Sequence, residues 1–202
     1  SRIPYTAPRT LCGCPFSLLF TDPLQFNNKD LKTMVNYMCM DSIIGKIYIA
    51  ASNKGICQIG LNVSSKENFL KGIQQRFPID DYLGHASDIL SQFSFDLKKY
   101  LHGDRVTFDY PVDLTCATEF QLKVWREVQR IPYGKTAAYK DIAAMIGNPT
   151  ACQAVGLANK SNPVPIIIPC HRVIGANGGL KGFSAGLRIK AQLLELEQRA
   201  TD

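Results

Sequence analysis

The stretch from Asn162 to Ile174 constrains the fold of this chain more than any other part of it. Its apolar, β-branched run 166–168 is bracketed by three prolines, Pro163, Pro165 and Pro169. Proline fixes the backbone angle φ and has no N–H to donate, so these positions cannot lie inside a helix. The β-branched run favours extended backbone. The sequence therefore predicts a rigid, buried, extended segment here.

Cys170 follows this segment and is flanked by two side chains that can carry positive charge, His171 and Arg172. Neighbouring cations favour the thiolate, which is the form of cysteine that attacks electrophiles. The sequence therefore predicts a reactive thiol, with a purely structural cysteine as the alternative. Adjacent residues of a strand point to opposite faces, so His171 is not expected to touch the Cys170 sulfur directly.

A helical region lies immediately upstream of this segment. The pattern Thr118-Glu119-Phe120-Gln121 is a capping box that predicts the start of a first helix. A second helix is predicted from Thr136 or Ala138 to Ile146, and a third from Asn148-Pro149 to Asn159. Two helices joined by a tight turn are the layout of a helix-turn-helix, so residues 114–202 are predicted to form a mostly helical, winged-helix-like domain.

The third helix offers mostly small side chains for contact with a partner: Ala151, Gln153, Ala154, Gly156 and Ala158. Most of them are too short to reach base edges in a major groove. They would instead let the helix backbone approach phosphate walls without reading sequence. For Ala154 and Gly156, packing inside the domain is an equally good interpretation. Residues 114–202 also hold 11 Lys/Arg against 6 Asp/Glu, which favours a polyanionic partner.

The N-terminal half has the patterns of a small α/β domain, predicted over 34–113. Alternating apolar residues and turns predict a β-meander from Met34 to Leu61. Ser64-Ser65-Lys66-Glu67 predicts a capped helix, and residues 89–101 predict another. The alternation of Val106, Phe108 and Tyr110 predicts one more strand. Residues 1–33 are predicted to be a tail of unknown role.

Composition excludes several classes of protein. No apolar run reaches the length of about 18 residues that a membrane span needs. The chain starts with prolines and arginines rather than the apolar core of a secretory signal. Seven cysteines without regular spacing favour a reducing compartment, either the cytoplasm or the nucleus. Cys12-Gly13-Cys14 is too tight for an ordinary zinc site, so no metal and no cofactor are predicted.

The sequence Pro169-Cys170-His171-Arg172-Val173, preceded by Asn162-Pro163-Val164-Pro165, resembles the active-site signature of the 6-O-methylguanine-DNA methyltransferases, which are self-inactivating DNA repair proteins. The similarity runs without a gap from about Phe120 to Glu197 and is weaker before residue 114. It implies a two-domain α/β protein in which a ribonuclease H-like sheet with helices precedes a DNA-binding domain carrying Cys170.

The resemblance also implies an activity. A monomer would bind the minor groove of double-stranded DNA that contains an alkylated guanine and flip the damaged nucleotide out of the helix. It would then transfer the alkyl group irreversibly, and only once, from 6-O-alkylguanine to Cys170. Transfer from 4-O-alkylthymine is expected to be less efficient.

Roles for five residues follow from the same resemblance. Cys170 is the expected nucleophile, and His171 deprotonates it through a water molecule. Glu197 orients and polarises His171. Tyr139 turns the 3′ phosphate and donates a proton toward the base. Asn162 fixes the turn between the recognition helix and the active-site segment.

The pocket and the DNA surface are expected at further positions that match the family. The expected pocket residues are Pro165, Val173, Phe183, Ser184 and Ala185. The expected DNA-contacting residues are Tyr139, Lys140, Ala151, Gln153, Ala154, Gly156 and Arg172.

This chain departs from the family pattern in three places. Gln153 stands where the family usually has an arginine that fills the gap left by the flipped base, which predicts weaker binding. Phe183 and Ala185 replace a frequent tyrosine and glycine, which predicts a narrower pocket and poorer acceptance of benzyl than of methyl groups. Some relatives hold a structural zinc, for which His102 matches one ligand. Ser52 and Cys57 stand where other ligands would be, and no metal is expected.

Three other functions are compatible with parts of the sequence. A non-catalytic sensor of alkylated DNA would not need Cys170. A sequence-specific helix-turn-helix regulator would need more hydrogen-bonding side chains on its recognition helix. A cysteine hydrolase would need an oxyanion hole and an exposed nucleophile, which the proline-rich, buried segment does not suggest.

Overall fold

The computed structural model describes residues 33–77, 79–83 and 87–199. The predicted tail therefore lies outside the described residues except for Thr33, and so do Cys12 and Cys14. Within the described ranges, no helix is both long and apolar enough to cross a bilayer.

The N-terminal half is built on a four-stranded sheet. Its strands are β1 (Thr33–Met40), β2 (Ile47–Ser52), β3 (Gly55–Leu61) and β4 (Ile79–Leu83). Their order is β3-β2-β1-β4, in which β1, β2 and β3 are antiparallel neighbours and β4 lies parallel to β1. The predicted meander corresponds to the three antiparallel strands.

Both faces of the central strand β2 are buried. Ile47 and Ile49 belong to the large core that continues into the C-terminal half. Tyr48 packs on the other face, where its ring stacks on Phe69 with centroids 5.3 Å apart. Alternate side chains of β2 therefore point into two different cores, one on each face of the sheet. Neither face of this strand is open to solvent.

Helix α1 (Lys66–Gln74) covers one face of the sheet and α2 (Asp88–Leu101) covers the other. The capping box predicted at 64–67 does not form, because the N-cap is shifted by one residue. Ser65, not Ser64, is the N-cap, and its side chain accepts a hydrogen bond from Asn68 N. Two serines in succession offer two possible caps, and the sequence pattern alone does not choose between them.

The strand predicted through Val106, Phe108 and Tyr110 is absent, since residues 104–110 have no regular structure. The aromatic side chains of this segment pack on α2 instead, for example Phe108 against Phe93 at 5.5 Å. Just after this segment, Val112 forms a single bridge to Ile56 of β3. Among the described residues, this is where the chain beyond α2 pairs with the sheet. The fourth strand is β4, which the sequence analysis missed.

The C-terminal half is mostly helical. Its elements are α3 (Glu119–Gln129), β5 (Ala137–Ala138), α4 (Tyr139–Met145), α5 (Cys152–Lys160), a 3₁₀ turn (Cys170–Arg172), β6 (Val173–Ile174) and α6 (Leu187–Arg199). The capping box of α3 forms as predicted, with Thr118 and Gln121 bonded reciprocally.

Helices α4 and α5 form the predicted helix-turn-helix. The recognition helix α5 begins at Cys152, three residues later than predicted. Residues 148–151 form a turn that is closed by a hydrogen bond from Ala151 N to Asn148 O. Ala151 is therefore the cap of α5 and not one of its helical residues.

The segment 162–169 is buried and held tightly, as predicted, but it is not extended. Its chain turns back so that Ile168 N donates to Val164 O at 3.0 Å and Pro165 bridges Ile168. Ile166 has a φ of 78°, a conformation that a β-branched residue rarely adopts. Such local strain persists only where the surrounding contacts impose it. Cys170 consequently lies in a 3₁₀ turn and not at the end of a strand.

Candidate active site

A short parallel strand pair brings the two halves of the site together. Strand β5 pairs with β6 through Ala137↔Val173 and Ala138↔Ile174. Tyr139 follows β5 directly, and the 3₁₀ turn with Cys170 directly precedes β6. The pairing therefore places the start of α4 beside the cysteine, although more than 30 residues separate them in sequence.

Asn162 fixes the loop that carries Cys170. Its amide nitrogen Nδ2 donates to Ile168 O at 2.8 Å and to the Cys170 sulfur at 3.1 Å, while its Oδ1 accepts from Val164 N. Asn162 is 6% exposed, so these bonds are shielded from water. One side chain thus closes the proline-rich loop and holds the sulfur.

Glu197 is the centre of a buried network. Its Oε1 accepts from His171 Nε2 at 2.9 Å, and Tyr100 and Arg172 donate to the same oxygen. Its Oε2 accepts from Arg172 Nε at 2.9 Å and from Gly134 N at 3.1 Å. Burial alone would raise the pKa of Glu197, but these donors and charges hold it well below its usual range. The carboxyl is therefore ionised throughout the physiological range.

The state of His171 follows from this carboxylate. An ionised carboxylate can only accept hydrogen bonds, so the proton of the neutral imidazole must lie on Nε2. His171 is fully buried, and this burial lowers its pKa against the raising effect of Glu197. Its other nitrogen, Nδ1, has no hydrogen-bond partner among the described residues. A neutral histidine with a free Nδ1 lone pair is a proton acceptor.

The resting state of Cys170 differs from the prediction of a favoured thiolate. Burial raises the pKa of the Cys170 thiol to about 11, although the Asn162 hydrogen bond and the charge of Lys190 oppose this shift. The neighbouring residues do not supply the expected free cations, because His171 is held neutral and Arg172 is paired with Glu197. The sulfur is therefore a thiol at neutral pH and needs a base to become a nucleophile.

The position of Arg172 argues against its predicted role in DNA contact. Its guanidinium donates to both oxygens of Glu197 and to Ile131 O at 2.7 Å. The side chain is only 12% exposed. Its charge neutralises a buried carboxylate, which leaves little of it available to a phosphate. The two residues are 25 positions apart, so local sequence patterns do not reveal this pairing.

Lys190 is a member of the site that the sequence analysis missed. It is fully buried in α6, where its Nζ donates to Val173 O at 2.6 Å and to Lys181 O at 2.7 Å. Burial lowers its pKa to about 8, while the nearby Cys170 opposes this shift. Its Nζ also lies 5.8 Å from the centre of the Tyr139 ring. The sequence signal for Lys190 is a lysine on the apolar face of an amphipathic helix, because lysines are rarely fully buried unless they are paired.

Tyr100 is the second missed residue. It lies in α2, in the N-terminal half, and its hydroxyl donates to Glu197 Oε1 at 2.7 Å. Its sequence neighbours Leu97 and Leu101 made it look like an ordinary core aromatic. A buried tyrosine nevertheless needs a partner for its hydroxyl, and that requirement was the available signal.

The predicted pocket residues fall into two groups along the chain. Pro165 and Val173 are buried, on the two segments that flank Cys170 in sequence. Phe183 and Ala185 are half-buried and Ser184 is exposed, all on the loop before α6. This loop is held by Tyr139, whose hydroxyl donates to Lys181 O at 3.0 Å and Gly182 O at 3.3 Å. The loop before α6 is thus tied to the start of α4.

The other predicted contact residues lie on the helix-turn-helix. Lys140 and Gln153 are exposed, whereas Ala151, Ala154 and Gly156 are half-exposed. A Cβ atom at Gly156 would meet only Tyr139 Cε1, at 4.0 Å. Internal packing therefore does not require glycine here. This favours the interpretation that small side chains on α5 let a partner approach the helix backbone closely.

The residues at the zinc-related positions do not fit a metal. Ser52 Oγ donates to Asp113 at 2.6 Å, and burial raises the pKa of the Cys57 thiol to about 12. His102 is exposed, and its Nδ1 is bonded to Lys98 O. Throughout the described ranges, no group of three or more His, Cys, Asp or Glu could hold a metal ion.

Two family profiles match the chain. The 6-O-methylguanine DNA methyltransferase ribonuclease-like domain matches residues 35–114, and the DNA-binding domain of the same family matches residues 119–199. Together they confirm the predicted two-domain α/β fold.

Relatives of known name agree with these profiles. The inducible methylated-DNA--protein-cysteine methyltransferase of Bacillus subtilis is 42% identical over 76% of this chain and 85% of its own length. The Methanosarcina acetivorans protein of the same name is 42% identical over 80% of this chain and 97% of its own. Among solved structures, Mycobacterium tuberculosis OGT in complex with DNA is 36% identical, with a TM-score of 0.69 over 82% of this chain and 94% of that one. Because the profiles and the relatives span nearly all of the described residues, this chain belongs to the 6-O-methylguanine-DNA methyltransferase family.

Proposed function

We propose that this chain repairs DNA by direct reversal, moving the alkyl group of a 6-O-alkylguanine onto Cys170. The observation that carries the proposal is the buried Glu197–His171 pair beside a buried thiol that Asn162 holds in place. Such a pair supplies a base to a nucleophile that is protonated at rest. Family membership supplies the reaction class, and the relatives' shared name specifies a cysteine acceptor.

In the proposed reaction, His171 Nδ1 receives the thiol proton through a water molecule. Nε2–H stays bonded to Glu197, so the imidazolium that forms has a carboxylate in contact with it. The Cys170 sulfur then attacks the alkyl carbon. The new carbon–sulfur bond forms as the carbon–oxygen bond to guanine breaks, and the electron pair of the broken bond moves into the base.

The released base needs one proton to become ordinary guanine. Tyr139 and Lys190 are candidate donors, because both lie within electrostatic range of Cys170 and both donate to the carbonyl of Lys181. Tyr139 passes its proton to the base, and the resulting tyrosinate regains a proton when His171 gives up the thiol proton through water. The thiol therefore loses one proton and the guanine gains one. No atom other than the alkyl group stays on the protein. The product is a thioether, which nothing in the site activates for cleavage, so each molecule reacts once.

DNA would meet the protein through the helix-turn-helix. The surface formed by Lys140, Ala151, Gln153, Ala154 and Gly156 is low and carries few hydrogen-bonding groups. It suits backbone contact in a minor groove without reading of sequence, as repair of scattered lesions requires. Tyr139, at the start of α4, would turn the 3′ phosphate. The flipped nucleotide would enter between the 183–185 loop and the segment of Pro165 and Val173.

The proposal includes the setting in which the protein works. A monomer suffices, because every proposed catalytic group comes from one chain. Duplex DNA with an alkylated guanine is the substrate, and 4-O-alkylthymine is a poorer one. The reaction needs a reduced Cys170 and access to DNA, which places it in the cytoplasm or the nucleus.

Mass spectrometry of the intact protein tests the proposal. After incubation with an equimolar duplex that contains one 6-O-methylguanine, the protein gains the mass of one methyl group in place of one proton. Cys170→Ala gains nothing and still binds the duplex. The same experiment separates the alternatives, since a damage sensor or a helix-turn-helix regulator would bind DNA without any change of mass. An unmodified wild-type protein that binds the methylated duplex would overturn the proposal.

A further inference from the structure

One hydrogen bond connects the N-terminal half of the protein to the catalytic network. The Tyr100 hydroxyl, from α2, donates to Glu197 Oε1 at 2.7 Å and lies 3.4 Å from His171 Nε2. Tyr100 is 1% exposed, so water does not compete for this bond. Its ring is held edge-on against Phe108 at 5.5 Å and Tyr133 at 6.1 Å. The hydroxyl is therefore held in a fixed position beside the His171–Glu197 contact.

Glu197 Oε1 is shared among three donors: Tyr100, His171 and Arg172. Each hydrogen bond to an ionised carboxylate spreads its charge and makes it a weaker acceptor for the others. The strength with which Glu197 stabilises a protonated His171 thus depends on whether the Tyr100 hydroxyl is present.

We infer that Tyr100 is a positioning residue for alkyl transfer, through which the N-terminal domain limits how strongly Glu197 holds the proton of His171. The inference rests on the proposed function. It gives the N-terminal domain a part in the chemistry as well as in the fold. Tyr100 does not touch the reacting atoms, and it acts through Glu197.

The groups around His171 determine whether removal of the Tyr100 hydroxyl raises or lowers the pKa of His171. Within the described part of the chain, the charged or titratable groups that act on His171 or on its carboxylate partner include Tyr100 from α2, Tyr133 from the loop after α3, Arg172 from its own turn, and Lys190 and Glu197 from α6. Cys170 is the neighbour of His171 in the chain. Glu197 is the group among these that raises the pKa of His171, whereas burial, Arg172 and Lys190 lower it.

Removing the Tyr100 hydroxyl should therefore strengthen the one effect that raises the His171 pKa. In Tyr100→Phe, Glu197 Oε1 loses a donor, and its negative charge is more concentrated toward His171. Protonation of His171 then occurs at higher pH in Tyr100→Phe than in the wild type. Protonated His171 cannot accept the thiol proton. The acid limb of the pH–rate profile should therefore move to higher pH by the same amount as the His171 pKa.

The test measures single-turnover rate constants for methyl transfer from a methylated duplex across a range of pH. Tyr110→Phe is the matched control, because the Tyr110 hydroxyl also donates to a carboxylate, that of Asp96 at 2.6 Å, away from the catalytic network. The expected result is an acid limb shifted upward in Tyr100→Phe and unchanged in Tyr110→Phe. The inference would be overturned if the acid limb lay at the same pH in wild type and Tyr100→Phe. It would also be overturned if Tyr110→Phe shifted the acid limb as much as Tyr100→Phe does.

A second measurement does not depend on alkyl transfer. NMR titration of the His171 imidazole in the free proteins should give a higher pKa in Tyr100→Phe than in wild type and Tyr110→Phe. An unchanged or lower value in Tyr100→Phe rejects the role of Tyr100 whether or not the protein transfers methyl groups. A wild-type protein that does not transfer methyl groups would instead reject the proposed function, and the titration would still decide how Tyr100 acts on His171.

Discussion

Replacing Arg172 with methionine should destabilise the protein strongly while leaving its affinity for undamaged DNA nearly intact. Sequence resemblance placed Arg172 on the DNA surface, but its guanidinium is bonded to both oxygens of Glu197. Glu197 is fully buried, so the substitution leaves a buried carboxylate without the cation that neutralises it.

The expected cost can be derived from the contacts that are lost. Breaking a buried ion pair by removing one partner costs about 3–5 kcal/mol. Glu197 keeps its hydrogen bonds from Tyr100, His171 and Gly134, which places the cost near the lower end of that range. For a domain of this size, a loss of about 3 kcal/mol corresponds to a fall in Tm of roughly 6–12 °C.

Lys140→Met is the matched control, since it exchanges one cation for the same apolar side chain at an exposed site. Urea unfolding gives the free energies, and binding to undamaged duplex at several salt concentrations gives the salt dependence. Lys140→Met should stay within about 0.5 kcal/mol of the wild-type stability. It should also reduce the salt slope by about one unit if Lys140 contacts a phosphate. Arg172→Met should lose about 3 kcal/mol of stability and keep the salt slope of the wild type.

The reasoning is refuted if Arg172→Met unfolds at the same urea concentration as wild type and loses DNA affinity with a reduced salt slope. That combination would mean that Arg172 is released from Glu197 to bind phosphate, and that the buried carboxylate does not depend on it.

Three further predictions concern the site itself. Alkylation of Cys170 in the free protein by iodoacetamide should be slow at neutral pH and keep accelerating toward pH 11, since burial raises the thiol pKa to about 11; a rate that levels off near pH 7 would contradict this. The pKa of Glu197 is held well below its usual 4.5, so the folded protein should lose stability as pH falls below about 4.5. Glu197→Gln should flatten that dependence, and unfolding curves of equal pH sensitivity would argue against it. Finally, Ala185→Gly should widen the pocket and speed reaction with benzylguanine by roughly tenfold or more, with little effect on methyl transfer; equal benzyl rates would show that Ala185 does not limit the pocket.

The helical parts of the fold could be predicted because their signals are local. The capping box of Thr118 and Gln121 and the glycine stop at Gly147 act within one helical turn, and both lie where the pattern put them. Strand β4 was missed because Asp80 and Asp81 are poor strand formers, and the pairing of β4 with β1 is a long-range contact that local patterns do not contain.

The proline-rich segment shows where local rules fail. Three prolines and a β-branched run favour extended backbone, yet Ile166 takes a positive φ because Asn162 and the Val164–Ile168 hydrogen bond close the loop around it. These contacts join residues of the same short segment, but they depend on how the whole loop closes, which single-residue propensities do not describe.

The candidate residues of the site could be named from the sequence, but their charge states could not. The family resemblance named Cys170, His171 and Glu197 as expected catalytic residues, and the structure places the last two in contact. Whether Cys170 rests as a thiol or a thiolate depends on burial and on where Arg172 finds its partner, and both depend on long-range packing. For Tyr100 the sequence indicates only that a buried hydroxyl needs a partner, and it does not indicate which one, because Glu197 is 97 positions away.

The central claim is that Cys170 is a one-time acceptor of an alkyl group, and titration with excess substrate tests it most directly. Increasing amounts of a duplex with one 6-O-methylguanine are added to a fixed amount of protein, and restored guanine and methylated peptide are both counted. The account predicts a plateau at one restored guanine per protein molecule, with the methyl group on the peptide that contains Cys170. Restoration that continues beyond one equivalent, or a methyl group on any other residue, would contradict it.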